Sequence, residues 1–330
     1  MHSLPEQEEH YMTLSRRNFL KGVGLAGLGT ILPTTHAAAA EGEELATLLD
    51  VSRCIGCGAC VDGCREANAH KYPEPTRPFP KMYPERVKVA DWSDKRDVYD
   101  RLTPYNWLYI QTATVTWQGT EYELNIPRRC LHCQNPPCAN LCPWGAASKQ
   151  ANGIVRINDK ICLGGSKCKS VCPWHIPERQ TGVGLYLKLL PSLAGNGVMY
   201  KCDRCFDRIE QGGTPACIEV CPEGVQTIGP RKEILAMARK LAEETGGFIY
   251  GDEENGGTNT FYVSPVPFDV LDQAVEKGSG KPHLQPVDKV MAREENLARA
   301  VFAAPIAGIA AGVLQAARLI GTRDKEEDNV

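Results

Sequence analysis

The sequence predicts an α+β fold, rich in loops, built from two interleaved modules and carrying one apolar helix near its C-terminal end. Three observations predict it. All 15 cysteines fall into four tight groups. The 31 Gly and 23 Pro leave little room for long regular elements. A Cys-Pro-Trp triplet occurs twice, at Cys142-Pro143-Trp144 and at Cys172-Pro173-Trp174, as an internal repeat would give. The 330 residues carry 37 basic and 40 acidic side chains, a net charge of −3. That balance lacks the basic surplus of nucleic-acid binders, so no nucleic-acid partner is expected.

The cysteine spacing carries the chemistry. The first group is Cys54, Cys57, Cys60 and Cys64. The second is Cys130, Cys133, Cys138 and Cys142, followed by Pro143. The third is Cys162, Cys168 and Cys172, followed by Pro173, and the fourth is Cys202, Cys205, Cys217 and Cys221, followed by Pro222. Gaps of two, two and three residues in the first group are the run that holds cubane iron–sulfur clusters. Two-residue gaps wrap a tight loop round three iron corners, and the fourth cysteine points away to a second cluster of the pair. Zinc ribbons close with two cysteine pairs rather than a third cysteine and a trailing fourth. Disulfides between cysteines this close would form many tiny strained loops, and their odd number would leave one thiol over. A radical-type enzyme would show one lone three-cysteine motif, not four groups.

The third group is one thiol short. Aligned by its ends to the first group, it has Gly165 where a cysteine is needed, and glycine cannot ligate iron. The expected cofactors are therefore three [4Fe–4S] clusters and one [3Fe–4S] cluster. Four [4Fe–4S] clusters are the alternative, if water or hydroxide holds the last iron. His132 and His175 lie in or beside ligand loops, but the thiols already suffice. Trp144 and Trp174 are expected to pack over the clusters and exclude water. Lys201 either places positive charge near a cluster or is solvated. No nucleotide-binding glycine fingerprint or nucleophile motif stands out, so no catalytic residue is assigned.

The two ends read as addresses. Arg16-Arg17 within Ser15–Lys21, the apolar run from Gly22 to Leu32, and small residues at Ala38 and Ala40 form a twin-arginine signal peptide cleaved after Ala40. Near the other end, Ala300 to Ala317 is uncharged and bracketed by Arg299 and Arg318, close to the minimum length for a bilayer span. Gly308 and Gly312 have the spacing that lets membrane helices approach closely. The domain boundaries that follow are a signal peptide over 1–40, a four-cluster domain over 41–250 and an extended tail and linker over 251–299. A transmembrane helix over 300–320 and a cytoplasmic tail over 321–330 complete the chain. The expected location is the periplasmic side of the cytoplasmic membrane, held by a single-pass C-terminal anchor after passage through the twin-arginine translocase.

Between the cysteine groups, Lys71 to Leu102 reads as a surface insertion rich in Pro and charge. Trp107 to Trp117, a turn at Gln118-Gly119, and Glu121 to Ile126 read as a hairpin. Gly153 to Ile157 and Val225 to Ile228 are short strand candidates, and Lys232 to Glu244 has the apolar spacing of an amphipathic helix.

Taken together, these motifs resemble the four-cluster ferredoxin-like electron-transfer subunits of respiratory oxidoreductases, over about Leu49 to Phe268. The export signal and single C-terminal helix are most similar to the iron–sulfur protein of periplasmic uptake nickel–iron hydrogenases. Gly251–Gly257 and Val263–Phe268 resemble the formate dehydrogenase and hydrogenase versions. The five-residue gap between Cys162 and Cys168 is similar to the nitrate reductase beta subunit, whose family carries a [3Fe–4S] cluster there. The resemblance implies two interleaved ferredoxin-like modules, the first and fourth groups sharing one and the second and third the other. It implies one cluster on Cys54, Cys57, Cys60 and Cys221, and its neighbour on Cys202, Cys205, Cys217 and Cys64. The other pair takes Cys130, Cys133, Cys138 and Cys172, then Cys142, Cys162 and Cys168. It also implies a non-catalytic subunit linking a catalytic hydrogenase or molybdenum-enzyme subunit to an integral membrane quinone-reactive subunit, with the three-thiol cluster nearest the membrane. A stand-alone redox enzyme and a cluster-donating scaffold are the competing classes.

Overall fold

In the computed structural model, residues 43–79, 89–189, 192 and 197–292 are described. The twin-arginine signal and the apolar run from Ala300 to Ala317 lie outside these residues. Among the described residues no helix is long and apolar enough to cross a membrane.

The described residues begin with strand β1 (Leu45–Asp50), helix α1 (Ala59–Asn68), and strands β2 (Tyr109–Trp117) and β3 (Thr120–Arg128). Helix α2 (Pro137–Asn140), strands β4 (Ala147–Lys149) and β5 (Val155–Ile157), and helix α3 (Lys167–Val171) follow. Next come strand β6 (Glu178–Gln180), helix α4 (Tyr186–Leu189) and strand β7 (Val198–Tyr200). The last part holds helices α5 (Phe206–Glu210) and α6 (Ala216–Glu219), strand β8 (Gln226–Pro230) and helix α7 (Arg231–Thr245). Strands β9 (Phe248–Tyr250) and β10 (Thr260–Ser264) and helix α8 (Phe268–Ala274) complete it. Most elements are short, as the Gly and Pro content requires.

One sheet organises the molecule, in the order β8-β1-β10-β9. β1 runs parallel to β10 and antiparallel to β8. Strand alternation sends its side chains to two cores. Ala46, Leu48, Phe261 and Val263 pack with Ile234, Ala238 and Ala242 of α7, whose four-residue spacing lies on one helix face. Leu49 and Tyr262 join the larger core that contains most of the cysteines. Met237, on the amphipathic helix foreseen from sequence, points outward instead and is exposed.

The foreseen hairpin forms, with β2 and β3 in register from Tyr109↔Arg128 to Trp117↔Thr120. Both turn residues, Gln118 and Gly119, have positive φ, the backbone of a two-residue turn that matches strand twist. Two smaller hairpins, β4–β5 and β6–β7, flank the third cysteine group.

The stretch from Gly251 departs from expectation. The sequence predicts an extended tail and linker over 251–299, but the described part of that stretch folds into the domain. β10 lies inside the sheet with all five residues buried, and Phe268, Leu271 and Leu284 enter the core. The physical reason is that Phe261, Tyr262 and Val263 supply both faces of an interior strand, so β1 and β9 would otherwise face each other across a missing partner. The surface insertion has no helix or strand in its described part from Tyr72 to Leu102. Even so, Tyr105 and Trp107 just beyond it pack edge-on against Tyr72.

Candidate metal centres

Each cysteine loop makes the same bend. The residue before the second ligand position has left-handed backbone in all four loops: Gly56 (φ 69°), His132 (φ 52°), Gly164 (φ 66°) and Arg204 (φ 56°). This bend lets the two-residue gap close round one point. The later cysteines sit on short helices: Cys60 and Cys64 on α1, Cys138 on α2, Cys168 on α3 and Cys217 on α6. Gly63 matters for the approach of these parts, because a Cβ there would lie 2.8 Å from the Val220 side chain.

Folding brings the thiols into four neighbourhoods. Cys54, Cys57, Cys60 and Cys221 line one cavity together with Ile110, Pro127 and Pro222. Cys130, Cys133, Cys138 and Cys172 line another, with Pro173, Trp174 and Lys201. Cys64 is buried among Cys217, Cys202 and Cys205. Cys162 and Cys168 neighbour Cys142. Electrostatic coupling also links the neighbourhoods in a row: Cys60 with Cys217, Cys202 with Cys130, and Cys168 with Cys172. Exposed Ile55 and Val220 mark one end of that row, and exposed Trp144 and Ile161 the other.

The electrostatics suit a soft metal cluster. Burial, followed by repulsion from neighbouring thiolates, pushes Cys60 and Cys168 up to about 12. Burial likewise raises Cys172 to about 11. Such thiols stay protonated near neutral pH unless a cation replaces the proton, which iron bound by thiolate does. Among the described residues no three His, Cys, Asp or Glu converge on a point where one ion would sit. Two of the sets line cavities instead, which fits a multi-atom cluster. Several sulfurs also accept hydrogen bonds, among them Cys202 from the Arg204 N–H at 3.3 Å and Cys162 from the Met199 N–H at 3.5 Å.

The single residues divide. Trp174 is 2 % exposed and its Nε1 donates to the Tyr250 hydroxyl at 2.7 Å, so it does seal the second cavity. Trp144 is 60 % exposed and covers nothing in this way. The expectation that both exclude water is corrected for Trp144, because the chain after Pro143 turns outward through Gly145 in left-handed backbone. His132 is buried and its Nδ1 accepts the Val155 N–H at 3.0 Å; burial and then nearby cations hold its pKa well below the usual range. His175 is exposed, with Nδ1 3.1 Å from the Lys169 carbonyl. Lys201 is buried, not solvated, and bonds the Val155 and Cys202 carbonyls.

Sequence reasoning missed Arg129 and Arg204, each 1 % exposed. The available signal was position: Arg129 directly precedes Cys130, and Arg204 lies inside the Cys202–Cys205 gap.

Residues 53–146 and 121–231 each match a family described as a 4Fe-4S dicluster domain. The Hydrogenase-2 operon protein HybA of Escherichia coli O157:H7 is 30 % identical over 300 residues, covering 78 % of this chain and 83 % of its own. The nitrate-inducible formate dehydrogenase iron-sulfur subunit of Escherichia coli (strain K12) is 30 % identical over 239 residues, 67 % of this chain and 68 % of its own. The formate dehydrogenase-O iron-sulfur subunit of the same strain is 31 % identical over 239 residues, 67 % of each chain. These likenesses run through the segments that gather the thiols, and the chain belongs to the ferredoxin-like iron–sulfur family of paired 4Fe-4S dicluster domains that includes HybA and the formate dehydrogenase iron–sulfur subunits.

Proposed function

We propose that the chain is the non-catalytic electron-transfer subunit of a respiratory oxidoreductase, linking a catalytic subunit to a quinone-reactive membrane subunit. One observation carries this reading: four adjoining sets of thiols form a row from one surface to another, with exposed apolar residues at both ends. Bound iron–sulfur clusters supply one-electron carriers, and exposed apolar patches mark places where proteins dock.

The ligand sets follow the neighbourhoods. Cys54, Cys57, Cys60 and Cys221 hold one cluster, and Cys64, Cys202, Cys205 and Cys217 hold its neighbour. Cys130, Cys133, Cys138 and Cys172 hold the next, and Cys142, Cys162 and Cys168 hold the last. With three thiols, that last site takes [3Fe–4S] and the others take [4Fe–4S]. The chain's own part is to fix the thiolates, donate hydrogen bonds to sulfur, and keep water from the buried centres.

HybA, matched along most of its length, supports a hydrogenase as the catalytic partner. The similar identity to the formate dehydrogenase subunits keeps a molybdenum-type partner as the second reading. The signal at Arg16-Arg17 and the run from Ala300 to Ala317 support a protein exported by the twin-arginine translocase and anchored on the periplasmic side. Purification from detergent-solubilised membranes tests the reading. The chain should co-purify with a catalytic and a membrane subunit and turn over neither hydrogen nor formate alone. Turnover by the isolated chain would overturn it.

A further inference from the structure

Where the two central thiol sets adjoin lies a group of buried cations that no ligand set uses. Arg129 and Arg204 are 1 % exposed and Lys201 is 6 % exposed. Arg129 Nη1 donates to Cys217 Sγ at 2.9 Å, while its Nε and Nη2 meet no acceptor among the described residues. Arg204 donates to the Leu45 carbonyl at 2.6 Å, the Asn259 carbonyl at 2.7 Å and the Thr260 hydroxyl at 2.8 Å. Lys201 donates to two backbone carbonyls. These partners are neutral oxygens and a cysteine sulfur. The nearby Asp203 carboxylate is engaged by Lys71 at 2.8 Å.

Charge buried this completely is costly unless countercharge lies close. The groups in position to supply it are cysteines. Arg129 lies by Cys217, Cys202 and Cys64, and Lys201 lies by Cys130, Cys138 and Cys202. A cluster held by four thiolates is anionic, and each reduction adds one more negative charge. A fixed cation beside it therefore stabilises the reduced form more than the oxidised form. The effect falls with distance, so the set that receives a hydrogen bond from a guanidinium feels it most.

We propose that Arg129 is a potential-setting residue, whose guanidinium on Cys217 Sγ raises the reduction potential of the centre held by Cys64, Cys202, Cys205 and Cys217. The inference rests on the reading that those four thiols hold a cluster. Arginine suits this task because it keeps its charge when buried, and its fork reaches sulfur without needing a carboxylate to position it.

The test is a redox titration, followed by paramagnetic resonance, of the full cluster-loaded protein carrying Arg129→Gln or Arg129→Lys. In Arg129→Gln the midpoint of one centre should fall, with the reduced-to-oxidised ratio at fixed poise down about tenfold, about 59 mV for a one-electron couple. The other centres should stay near their original midpoints, and Arg129→Lys should recover most of the shift. Unchanged midpoints in a fully loaded Arg129→Gln protein overturn the inference. So does an equal fall in both variants, which would assign the effect to packing rather than charge. Should Arg129→Gln lose iron, Arg129→Met, which keeps the side chain's bulk without its charge, carries the test: its midpoint should fall in the same way, and an unchanged midpoint overturns the inference. Iron content and the count of reducible centres are read separately: a wild-type protein without four centres would sink the ligand reading itself.

Discussion

The first and third cysteine loops follow the same path but differ in one atom that matters. In the first, Gly56 and Gly58 have left-handed backbone and α1 begins at Ala59; in the third, Gly164 and Ser166 do, and α3 begins at Lys167. Cys54, Cys60 and Cys64 thus correspond to Cys162, Cys168 and Cys172, and Cys57 corresponds to Gly165. The bend that presents the second ligand is retained where no ligand stands. Ser166 even occupies a conformation that costs a side chain about 1 kcal/mol or more. The difference teaches that the loop keeps its bends and its helix start without the second cysteine, so a missing thiolate would change the chemistry without changing the fold.

The most direct way to break this comparison is Gly165→Cys. Its φ lies outside the left-handed region, and an added Cβ meets nothing within 4 Å. The variant should accept a fourth iron at the last site. A three-iron cluster is paramagnetic when oxidised, whereas a four-iron cluster is silent in its oxidised 2+ state. The air-oxidised wild type should give a near-isotropic signal of about one spin per chain, and the variant almost none, with iron rising from about 15 to about 16 atoms. A wild type with no oxidised signal would refute the three-iron assignment.

The reciprocal change sharpens it. Cys57→Gly writes the defect of the third loop into the first, at an exposed position where little packing is lost. The oxidised signal should rise from about one spin to about two per chain, with about one iron fewer. Loss of the whole cluster, and of all its iron, would show that three thiols suffice only in the third loop.

Much of this was legible in the sequence, for physical reasons. Cysteine spacing within a loop encodes local geometry, and the turn at Gln118-Gly119 carries its own backbone preference. Contacts formed only in three dimensions were not legible. Which strands flank β10 is not written locally, because its partners β1 and β9 both precede it in the chain and β1 lies more than 200 residues away. The apolar run from Phe261 to Val263 does carry a strand signal, that of a strand buried on both faces. Arg129 and Arg204 escaped for a related reason: burial of a charge makes sense only once the thiols around it are known. The repeated Cys-Pro-Trp misled in the other direction, since identical triplets meet different surroundings.

That repeat supplies a second comparison, one of packing. Trp174→Ala removes a ring that is 2 % exposed and leaves the Tyr250 hydroxyl without its donor. Loss of a buried tryptophan costs about 3–5 kcal/mol. The thermal midpoint should drop by several degrees, and the cluster at Cys130, Cys133, Cys138 and Cys172 should become easier to bleach with chelator. A midpoint unchanged from wild type would mean that the second cavity is sealed by something else.

Trp144→Ala is the smallest change in stability and the more informative about function. The ring is 60 % exposed, so its removal opens no cavity, and surface substitutions of this kind stay within about 0.5 kcal/mol. A large apolar ring left in water beside the last thiol set, with Ile161 also exposed, has no structural task in the isolated chain. Aromatic residues of this type anchor interfaces, where truncation costs about 2 kcal/mol or more. The variant should therefore keep its iron and its thermal midpoint, yet release the proposed membrane partner at detergent concentrations that leave the wild-type complex intact, a loss of about thirtyfold in affinity. If the partner is retained as well as in wild type, Trp144 lies outside the interface and that end of the row docks through other residues. If instead the catalytic partner is the one released, the row runs in the opposite sense from the one implied by resemblance, with the three-thiol site facing the catalytic subunit.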